Sequence, residues 1–316
     1  RGVWSSLGRI RIIAANNTPR EEMQIFKDRV PYSAIVDRPA WKLPDGKRMA
    51  VWIIANVEDW DISRPMPRTV LPPPMGVPLL PDLPNWSWHE YGMRVGFWRI
   101  RDALRDRGIK PTMAINGRVC ENYPRIAEAA LELDWEFMGH GYLQGPMHKH
   151  DDQQEQIDRA VAAIEKFSGK KVRGWESPGL TETFQTVDFL RRAGVEYVAD
   201  WVFDDQPVEI ETTDGPMLSV PYTVETNDIT MMALQQHTSD EMFKRSKDQF
   251  DRLYQESEDS TRVMSISLHM YLTGAAHRIK YFEDILDYIM GHSDVAIVPG
   301  EEIMDWYRDA HSEGAA

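Results

Sequence analysis

Short apolar runs alternate with longer amphipathic segments between residue 49 and about residue 298. Residues 49–57 form an almost unbroken apolar run, which is typical of a strand buried on both faces. Apolar side chains at helical spacing follow, as in Phe97, Ile100 and Leu104. Further strands are predicted at residues 112–115, 135–138, 171–175, 195–199, 217–220, 263–268 and 295–298, with helices between them. About seven βα repeats predict parallel strands, and hence a barrel or an open doubly wound sheet.

Two regions depart from this repeat. Residues 1–48 are polar and rich in proline, and we interpret them as an arm that wraps the domain or a neighbouring subunit. Residues 62–88 hold eight prolines and no helical periodicity, so they predict a long loop. Trp86, Trp88 and Tyr91 lie at the end of this loop, which favours an ordered lid over residues 62–91. The predicted organisation is an arm at 1–48, a barrel at 49–310 and a tail at 311–316.

Composition narrows the choice of partners. The chain has 36 Lys and Arg against 50 Asp and Glu, a net charge of −14, which argues against nucleic acid and anionic membranes as partners. Cys120 is the single cysteine, which favours a reducing, cytoplasmic location. The apolar stretch at residues 10–15 is short and contains Arg11, unlike a secretory signal, although the start at Arg1 leaves a removed leader open. We expect a soluble homodimer or homotetramer that acts on a small molecule.

Polar side chains follow most of the predicted strands. They are Asn56, Glu58 and Asp59; His140; Trp175, Glu176, Ser177 and Pro178; Asp200 and Trp201; Tyr222, Glu225, Asn227 and Asp228; and His269. Because the carboxyl ends of parallel strands meet at one edge of a sheet, these side chains are expected to converge. Carboxylates and imidazoles together suit general acid–base hydrolysis or a metal site.

Each of these residues also has a structural interpretation. Glu58 and Asp59 could cap a loop and pair with an arginine such as Arg94. His140 could donate to a backbone carbonyl, and His269 could be a satisfied core histidine. His148 and His150 fit a solvated loop, and the chain has no GxGxxG, Walker or GxSxG motif.

Four strings at these strand ends resemble the motifs of the polysaccharide deacetylase superfamily, over roughly residues 48–308. They are NVEDW with Glu58 and Asp59, HGYLQ with His140 and Gln144, RGWESPG with Trp175, Glu176 and Pro178, and SISLH with His269. The resemblance implies an α/β fold, a distorted, incomplete (β/α) barrel of about seven parallel strands with a long lid loop. It also implies a general base at Glu58, a metal ligand at Asp59 and a general acid at His269.

Three longer strings are similar to one branch of that superfamily, which contains the cofactor-independent allantoinases and cyclic imide hydrolases. They are SWHEYGMRVGFWR, YVADWVFDDQP and PYTVETND. This resemblance implies hydrolysis of a non-peptide C–N bond in a small cyclic amide, ureide or imide. Two alternatives stay open: a metal-dependent N-deacetylase of an acetylated amino sugar or polysaccharide, and a binding protein that kept the fold without turnover.

The cofactor is either absent or zinc. In the family a second histidine follows the first by four residues, and here Gln144 takes that place. Asp59 and His140 would then need Gln144 or His148 as third ligand, and a neutral amide oxygen binds zinc poorly. Without metal, Glu58 would deprotonate water, with its pKa raised towards neutrality by burial, while His269 protonates the leaving nitrogen. His140, Gln144 and backbone amides at residues 176–179 would hold the oxyanion.

Further roles follow from this interpretation. Asp59 would bind a metal or orient His140, and Asp200 would orient His269 or an arginine. Arg94 would hold a carbonyl or carboxylate of the substrate. The predicted substrate-binding residues are Trp88, Glu90, Arg94, Gln144, Trp175, Glu176, Pro178, Trp201, Tyr222 and Asn227.

Overall fold

A computed structural model describes residues 26–312 of the chain. Its strands are β1 (Met49–Val57), β2 (Thr112–Ile115), β3 (Glu136–Gly139), β4 (Gly174–Trp175), β5 (Tyr197–Val198), β6 (Val208–Ile210), β7 (Met217–Ser219), β8 (Arg262–His269) and β9 (Val295–Ile297). Its helices are α1 (Phe26–Arg29), α2 (Leu83–Tyr91), α3 (Phe97–Arg105), α4 (Val119–Asn122), α5 (Pro124–Glu132), α6 (Gln153–Ser168), α7 (Thr186–Arg192), α8 (Glu241–Glu256), α9 (Ile279–Met290) and α10 (Gly300–Ser312).

The nine strands of residues 26–312 form one curled sheet, an open half-barrel. Its order is β6-β7-β5-β4-β3-β2-β1-β8, with β9 beside the start of β1. All neighbouring strands are parallel except the β6–β7 pair. The predicted α/β fold with a distorted, incomplete barrel is therefore confirmed.

Side chains of β1 alternate between two apolar layers, as a strand requires. Val51, Ile53 and Ala55 pack against the outer helices. Trp52 and Ile54 point into the curl of the sheet, where α10 fills the space. The nine residues of β1 are all buried, which explains the unbroken apolar run in the sequence. The opposite end of the curl is left to polar side chains.

Several predicted bounds change in the structure. β1 and β2 lie at the predicted residues, whereas the strands predicted at 171–175 and 195–199 are reduced to two residues each. The antiparallel strand β6 is not part of the βα repeat and was not predicted. The helix between β4 and β5 begins at Thr186, well after the end of β4.

The sequence predicted one long loop for the lid, but the structure has a helix in it. Residues 83–91 form α2, which continues through a π-helical turn at Gly92–Gly96 into α3. Asp82 caps this helix by accepting a hydrogen bond from the Asn85 N–H, and Pro84 lies in its first turn, where proline is tolerated. The apolar periodicity is weak here because Trp86 and Trp88 are only two positions apart, so the helix was missed.

The described part of the predicted arm packs on the barrel of its own chain. Arg29 forms a buried ion pair with Asp188 at 2.6 Å, and Trp41 and Leu43 lie in the inner apolar layer. Residues 1–25 of the arm and 313–316 of the tail lie outside the described residues. No helix within residues 26–312 is long and apolar enough to cross a bilayer. The oligomeric state and the compartment stay predictions.

Candidate active site

Glu58 lies at the centre of the polar end of the sheet, directly after β1. The register of β1 and β8 pairs Asn56 with His269, which brings the two strand ends side by side. The Glu58 Oε1 atom is 3.6 Å from His269 Nε2 and 3.8 Å from His140 Nε2. Gln144 Nε2 donates to Oε1 at 2.8 Å, and Trp60 Nε1 donates to Oε2 at 2.7 Å. Four residues predicted from three separate strings therefore meet.

The pKa of Glu58 moves in the direction opposite to the sequence-based expectation. Burial alone raises the pKa of this carboxyl, but the neighbouring imidazoles of His140 and His269 lower it to about 2. The pKa of His140 is raised, since Glu58 and Glu176 favour the imidazolium more than burial disfavours it. Glu58 is thus a carboxylate at any working pH, beside a histidine that tends to carry a proton.

Asp228 holds His269 in place. Its Oδ1 accepts from His269 Nδ1 at 2.7 Å, and its Oδ2 accepts from the His269 backbone N–H and from the Thr273 hydroxyl, both at 2.7 Å. A carboxylate can only accept, so Nδ1 carries the proton and Nε2 faces Glu58. The expectation that Asp200 orients His269 is wrong, because Asp200 accepts from the Ser177 N–H at 2.6 Å.

His140 is oriented by the backbone of the next strand. Its Nδ1 donates to the carbonyl oxygen of Glu176 at 2.6 Å, and its buried Nε2 has no hydrogen-bond partner among residues 26–312. Asn116 fixes the chain on both sides, because its amide donates to the His140 carbonyl and its Oδ1 accepts from the Asp59 N–H at 2.8 Å. The expectation that Asp59 orients His140 is also wrong, because the Glu176 carbonyl orients this imidazole.

Three carboxyl groups line the β4–β5 side of the site. The buried carboxyl of Glu176 accepts no hydrogen bond from any described residue, and burial raises its pKa to about 7. Burial also raises the pKa of Asp200 and Glu182, whose carboxyl groups interact with each other. Asp200 and Glu182 lie on the floor of a cavity of about 410 Å³, walled by Leu180, Trp201, Val202 and Phe203.

An aromatic cluster covers Glu58 from the lid side. His89 of α2 stacks on Trp60 at 4.5 Å between ring centroids, and its Nε2 contacts the Glu58 carbonyl oxygen at 2.9 Å. Trp88 packs edge-on against Tyr271 at 4.7 Å. The lid comes this close because Gly92 has no side chain: a Cβ there would lie 2.5 Å from the Tyr271 nitrogen.

Known proteins resemble this chain in sequence and in fold. A family model described as polysaccharide deacetylase matches residues 89–198. A putative polysaccharide deacetylase of Schizosaccharomyces pombe is 26% identical and covers 71% of this chain and 76% of its own length. A probable polysaccharide deacetylase from Pseudomonas aeruginosa PAO1 has a TM-score of 0.79 at 25% identity and covers 87% of this chain and 95% of that one.

Residues 89–198 of the chain thus match a polysaccharide deacetylase domain. A further neighbour in structure, Puue allantoinase, has a TM-score of 0.77 at 23% identity over 94% of this chain and 99% of that one, so it shares the fold. The match to this family indicates a hydrolase that acts on carbon–nitrogen bonds. The substrate is not given by these similarities.

The residues of this deacetylase domain do not fit the metal that the family resemblance implies. Arg118 donates to both oxygens of Asp59, at 2.9 and 3.0 Å, and Asn122 adds a third hydrogen bond at 2.7 Å. Gln144 presents its N–H to Glu58, and His148 is exposed on a loop. Within residues 26–312 no group of three His, Cys, Asp or Glu side chains could hold a metal ion. The guanidinium of Arg118 thus provides the positive charge beside Asp59 that zinc would otherwise supply.

Three predicted substrate contacts do not reach the centre of the site. Arg94 is 75% exposed and pairs with Glu90 at 3.2 Å, so it does not face Glu58. Glu90 is occupied by this pair and by the Tyr123 hydroxyl. Trp175 is fully buried beneath Gly139, which has no side chain to obstruct it. These three predictions fail because a strand end or helix turn fixes the position of a residue but not the direction of its side chain.

Other predicted residues of the deacetylase site lie at its rim. Pro178 packs on Gly141 beside His140. Tyr222 donates to Ser267 at 3.0 Å and accepts from Asn227 at 2.6 Å, so the two form one hydrogen-bonded unit. Trp201 lines the 410 Å³ cavity.

Sequence reasoning missed several residues of the site. They are Trp60, His89, Asn116, Arg118, Asn122, Glu182 and Tyr271, together with the role of Asp228. Asn116 and Arg118 follow β2 directly, so the rule that polar residues after strands converge would have found both. Asn122 is the last residue of α4, and the other missed residues are on the lid and in loops, where no periodicity places them.

Proposed function

We propose that the chain opens a small cyclic amide, ureide or imide by hydrolysis of a C–N bond. The observation that carries this proposal is Glu58 Oε1, which faces the Nε2 atoms of both His269 and His140 within 4 Å. One base and two imidazoles at that spacing suit attack of water on a carbonyl carbon, followed by protonation of the leaving nitrogen. The saturated hydrogen bonding of Asp59 supports a reaction in which this chain's own residues do the acid–base work.

In the proposed reaction Glu58 takes a proton from water while the oxygen attacks the carbonyl carbon. His140, which faces Glu58 and has a raised pKa, stabilises the oxyanion that forms. His269 then gives its Nε2 proton to the ring nitrogen as the C–N bond breaks, and Asp228 stabilises the imidazolium before that step. Finally the proton held by Glu58 passes to His269, which restores both groups.

Gln144 has a positioning role in this proposal. Its amide donates to Glu58 at 2.8 Å and accepts from Asn116 at 3.2 Å, so it fixes the carboxylate between the two histidines. Gln144 was predicted to hold the oxyanion, but its contacts with Glu58 and Asn116 do not favour that position.

The lid supports a small substrate. The aromatic cluster of Trp60, Trp88, His89 and Tyr271 covers Glu58, which itself is only 4% exposed. A polymer needs an open groove, whereas a small ring is enclosed by such a cover. N-deacetylation of an amino sugar, which the names of the relatives suggest, is therefore the second candidate.

The test is an activity panel of hydantoins, cyclic imides and allantoin, beside acetate release from chitooligosaccharides with and without added zinc. We expect ring opening by the wild type and a loss of at least about 10³-fold in kcat/KM for Glu58→Gln. Glu132→Gln, an exposed carboxyl on α5, is the matched control and should keep full activity. Zinc-dependent acetate release without ring opening would replace the proposal by the second candidate, and full activity of Glu58→Gln would refute the mechanism.

A further inference from the structure

Each of the three carboxyl groups on the β4–β5 side of the site has one buried oxygen atom without a donor in the described part of the chain, although the other oxygens of Asp200 and Glu182 accept from Ser177 and Trp201. Glu176 is 4% exposed and Asp200 is 7% exposed. The Oε2 atoms of Glu176 and Glu182 and the Oδ2 atom of Asp200 are buried and accept no hydrogen bond from a described residue. Such oxygens are costly to leave without a donor.

Basic side chains are scarce around them. The cationic groups that act on these carboxyls are the imidazoles of His140 and His269 and the guanidinium of Arg29. Arg29 is held by Asp188 through two hydrogen bonds, at 2.9 and 2.6 Å. No arginine or lysine of residues 26–312 forms an ion pair with Glu176, Asp200 or Glu182. The wall therefore has three acidic groups and no fixed cation of its own.

A purely structural role explains these groups poorly. Glu136, a buried carboxyl at the other end of the sheet, accepts hydrogen bonds from Thr112, from Tyr197 and from the Glu301 N–H. Glu176 has none of these, although it lies one residue beyond β4, next to the Glu58 cluster. Its free oxygen points to a ligand as the missing donor.

We propose that this wall, formed by Glu176, Asp200 and Glu182, binds a positively charged nitrogen group of the substrate, a guanidinium or an ammonium. Cleavage of a ring next to it rests on the proposed function, whereas the binding of the cation does not. The cavity of about 410 Å³, which Asp200 and Glu182 line, has room for such a group, and Trp201 and Phe203 add aromatic faces, which attract cations. Glu176 is not a lining residue, and its carboxyl acts on the cavity through its interaction with Asp200. The substrate would reach from Glu58 across β3 and β4 to Asp200.

Binding of a cation to this wall is linked to pH. The pKa of Glu176 is about 7 because of burial, so its proton must leave before the carboxylate pairs with a cation. We expect the affinity for the cation to increase as the pH rises from 6 to 8. The increase is up to about tenfold per pH unit for each proton released. The titratable groups that act on Glu176 are His140, His269, Asp200, Glu58 and Tyr222. Of these, His140 carries a raised pKa and works in the opposite sense.

The first test measures binding directly, with methylguanidinium, methylurea and acetate as probes, by ligand-observed NMR on the full chain. Methylguanidinium should bind at pH 8, at least tenfold tighter than at pH 6, and more tightly than either other probe. Because this measurement uses the wild type, it does not depend on the folding of a variant. Equal affinity for methylguanidinium and methylurea, or no change of methylguanidinium binding with pH, would overturn the proposal.

The second test uses near-isosteric variants. Glu176→Gln and Asp200→Asn should each weaken methylguanidinium binding at least tenfold, while Glu225→Gln, an exposed carboxyl outside the wall, should bind as the wild type does. Unchanged binding by both wall variants contradicts the proposal. The outcome is separable from the proposed function: ring opening without methylguanidinium binding refutes the cation site alone, and methylguanidinium binding without ring opening refutes the function alone.

Discussion

The two ends of the curled sheet each bury a glutamate, and the two behave in opposite ways. Glu58, at the carboxyl end of β1, has a pKa lowered to about 2 by the imidazoles of His140 and His269, against the effect of burial. Glu136, at the amino end of β3, has a pKa raised to about 7 by burial and by the charge of Glu301. Equal burial thus gives one permanent carboxylate and one carboxyl that holds its proton near neutrality.

The neighbours explain this difference. Glu136 is surrounded by neutral donors, the hydroxyls of Thr112 and Tyr197, and α10 closes this end of the curl at Gly300. Glu58 has two histidines at 3.6 and 3.8 Å that do not hydrogen-bond to it, and its other neighbours form a site. A satisfied cluster stabilises the fold, whereas an incompletely satisfied one is available for a substrate. Substitutions at the Glu58 end of the sheet should therefore change mainly activity, and substitutions at the Glu136 end mainly stability.

The largest expected effect is on activity at the Glu58 end. Asp228→Asn should reduce kcat/KM by about 10³-fold, because an amide no longer stabilises the imidazolium or selects the tautomer of His269. The free energy of unfolding should change far less than the activation free energy. Ring-opening kinetics and urea denaturation of the same sample measure both.

Thr273→Val serves as the matched control for Asp228. It removes one donor to Asp228 Oδ2 and leaves both His269 contacts in place. We expect a loss of about tenfold or less in kcat/KM. If Asp228→Asn and Thr273→Val lost activity equally, Asp228 would act on the loop and not on the imidazole.

The next prediction concerns Arg118, whose guanidinium lies beside Asp59, where the family resemblance implies a metal. Arg118→Met leaves the buried Asp59 carboxylate without its cation and should lower the free energy of unfolding by about 4 kcal/mol. Asp59→Asn added to it should recover most of that loss, since no buried charge then remains. A loss in the single variant that the second substitution does not recover would show that Arg118 acts through packing.

The same residue offers a gain of function. Arg118→Met combined with Gln144→His would free Asp59 and place an imidazole four residues after His140, a set of three zinc ligands. Calorimetry should detect zinc binding by this double variant and by neither single variant. Zinc binding by the wild type would contradict our account of Asp59.

The sequence predicts the two ends unequally. The apolar run at residues 49–57 and the polar residues after it locate β1 and Glu58, because both are local patterns with one structural solution. His140 was identified as a polar residue after a strand, and Gln144 came from a resemblance in motif. Asp228 was also identified as a residue after a strand, but its pairing with His269, 41 positions away, was not predicted, and neither was the pairing of Arg118 with Asp59, 59 positions away. Partners so far apart are brought together only by the curl of the sheet, which no periodicity encodes.

The sign of the Glu58 pKa could not be predicted either. Burial was foreseen and is the largest single influence, but the net direction depends on two imidazoles from β3 and β8. The acidic wall is a similar case. Glu176 and Asp200 were identified as residues after strands, yet which of their oxygen atoms lack a donor is visible only in three dimensions.

A smaller effect concerns stability at the Glu136 end. A carboxyl whose pKa is raised by folding stabilises the protein below its unfolded pKa of 4.5, and this stability is lost as the pH rises to about 7. At about 1.4 kcal/mol per pH unit, the interval amounts to about 3 kcal/mol. Glu136→Gln should remove this part of the pH dependence of unfolding, measured in urea between pH 5 and 8. An unchanged slope would contradict the raised pKa.

The smallest effect should come from Tyr197→Phe, which removes the hydroxyl that donates to Glu136 Oε1 at 2.6 Å. This hydrogen bond favours the charged carboxylate, so its loss should cost about 1.5 kcal/mol of unfolding free energy at pH 8 and less at pH 5, where the carboxyl is neutral. Ring opening should stay within about twofold of the wild type, because Tyr197 belongs to the inner layer below the site. A loss of activity larger than the loss of stability would show that the two ends of the sheet are coupled through β5, and the separation argued from Glu58 and Glu136 would then fail.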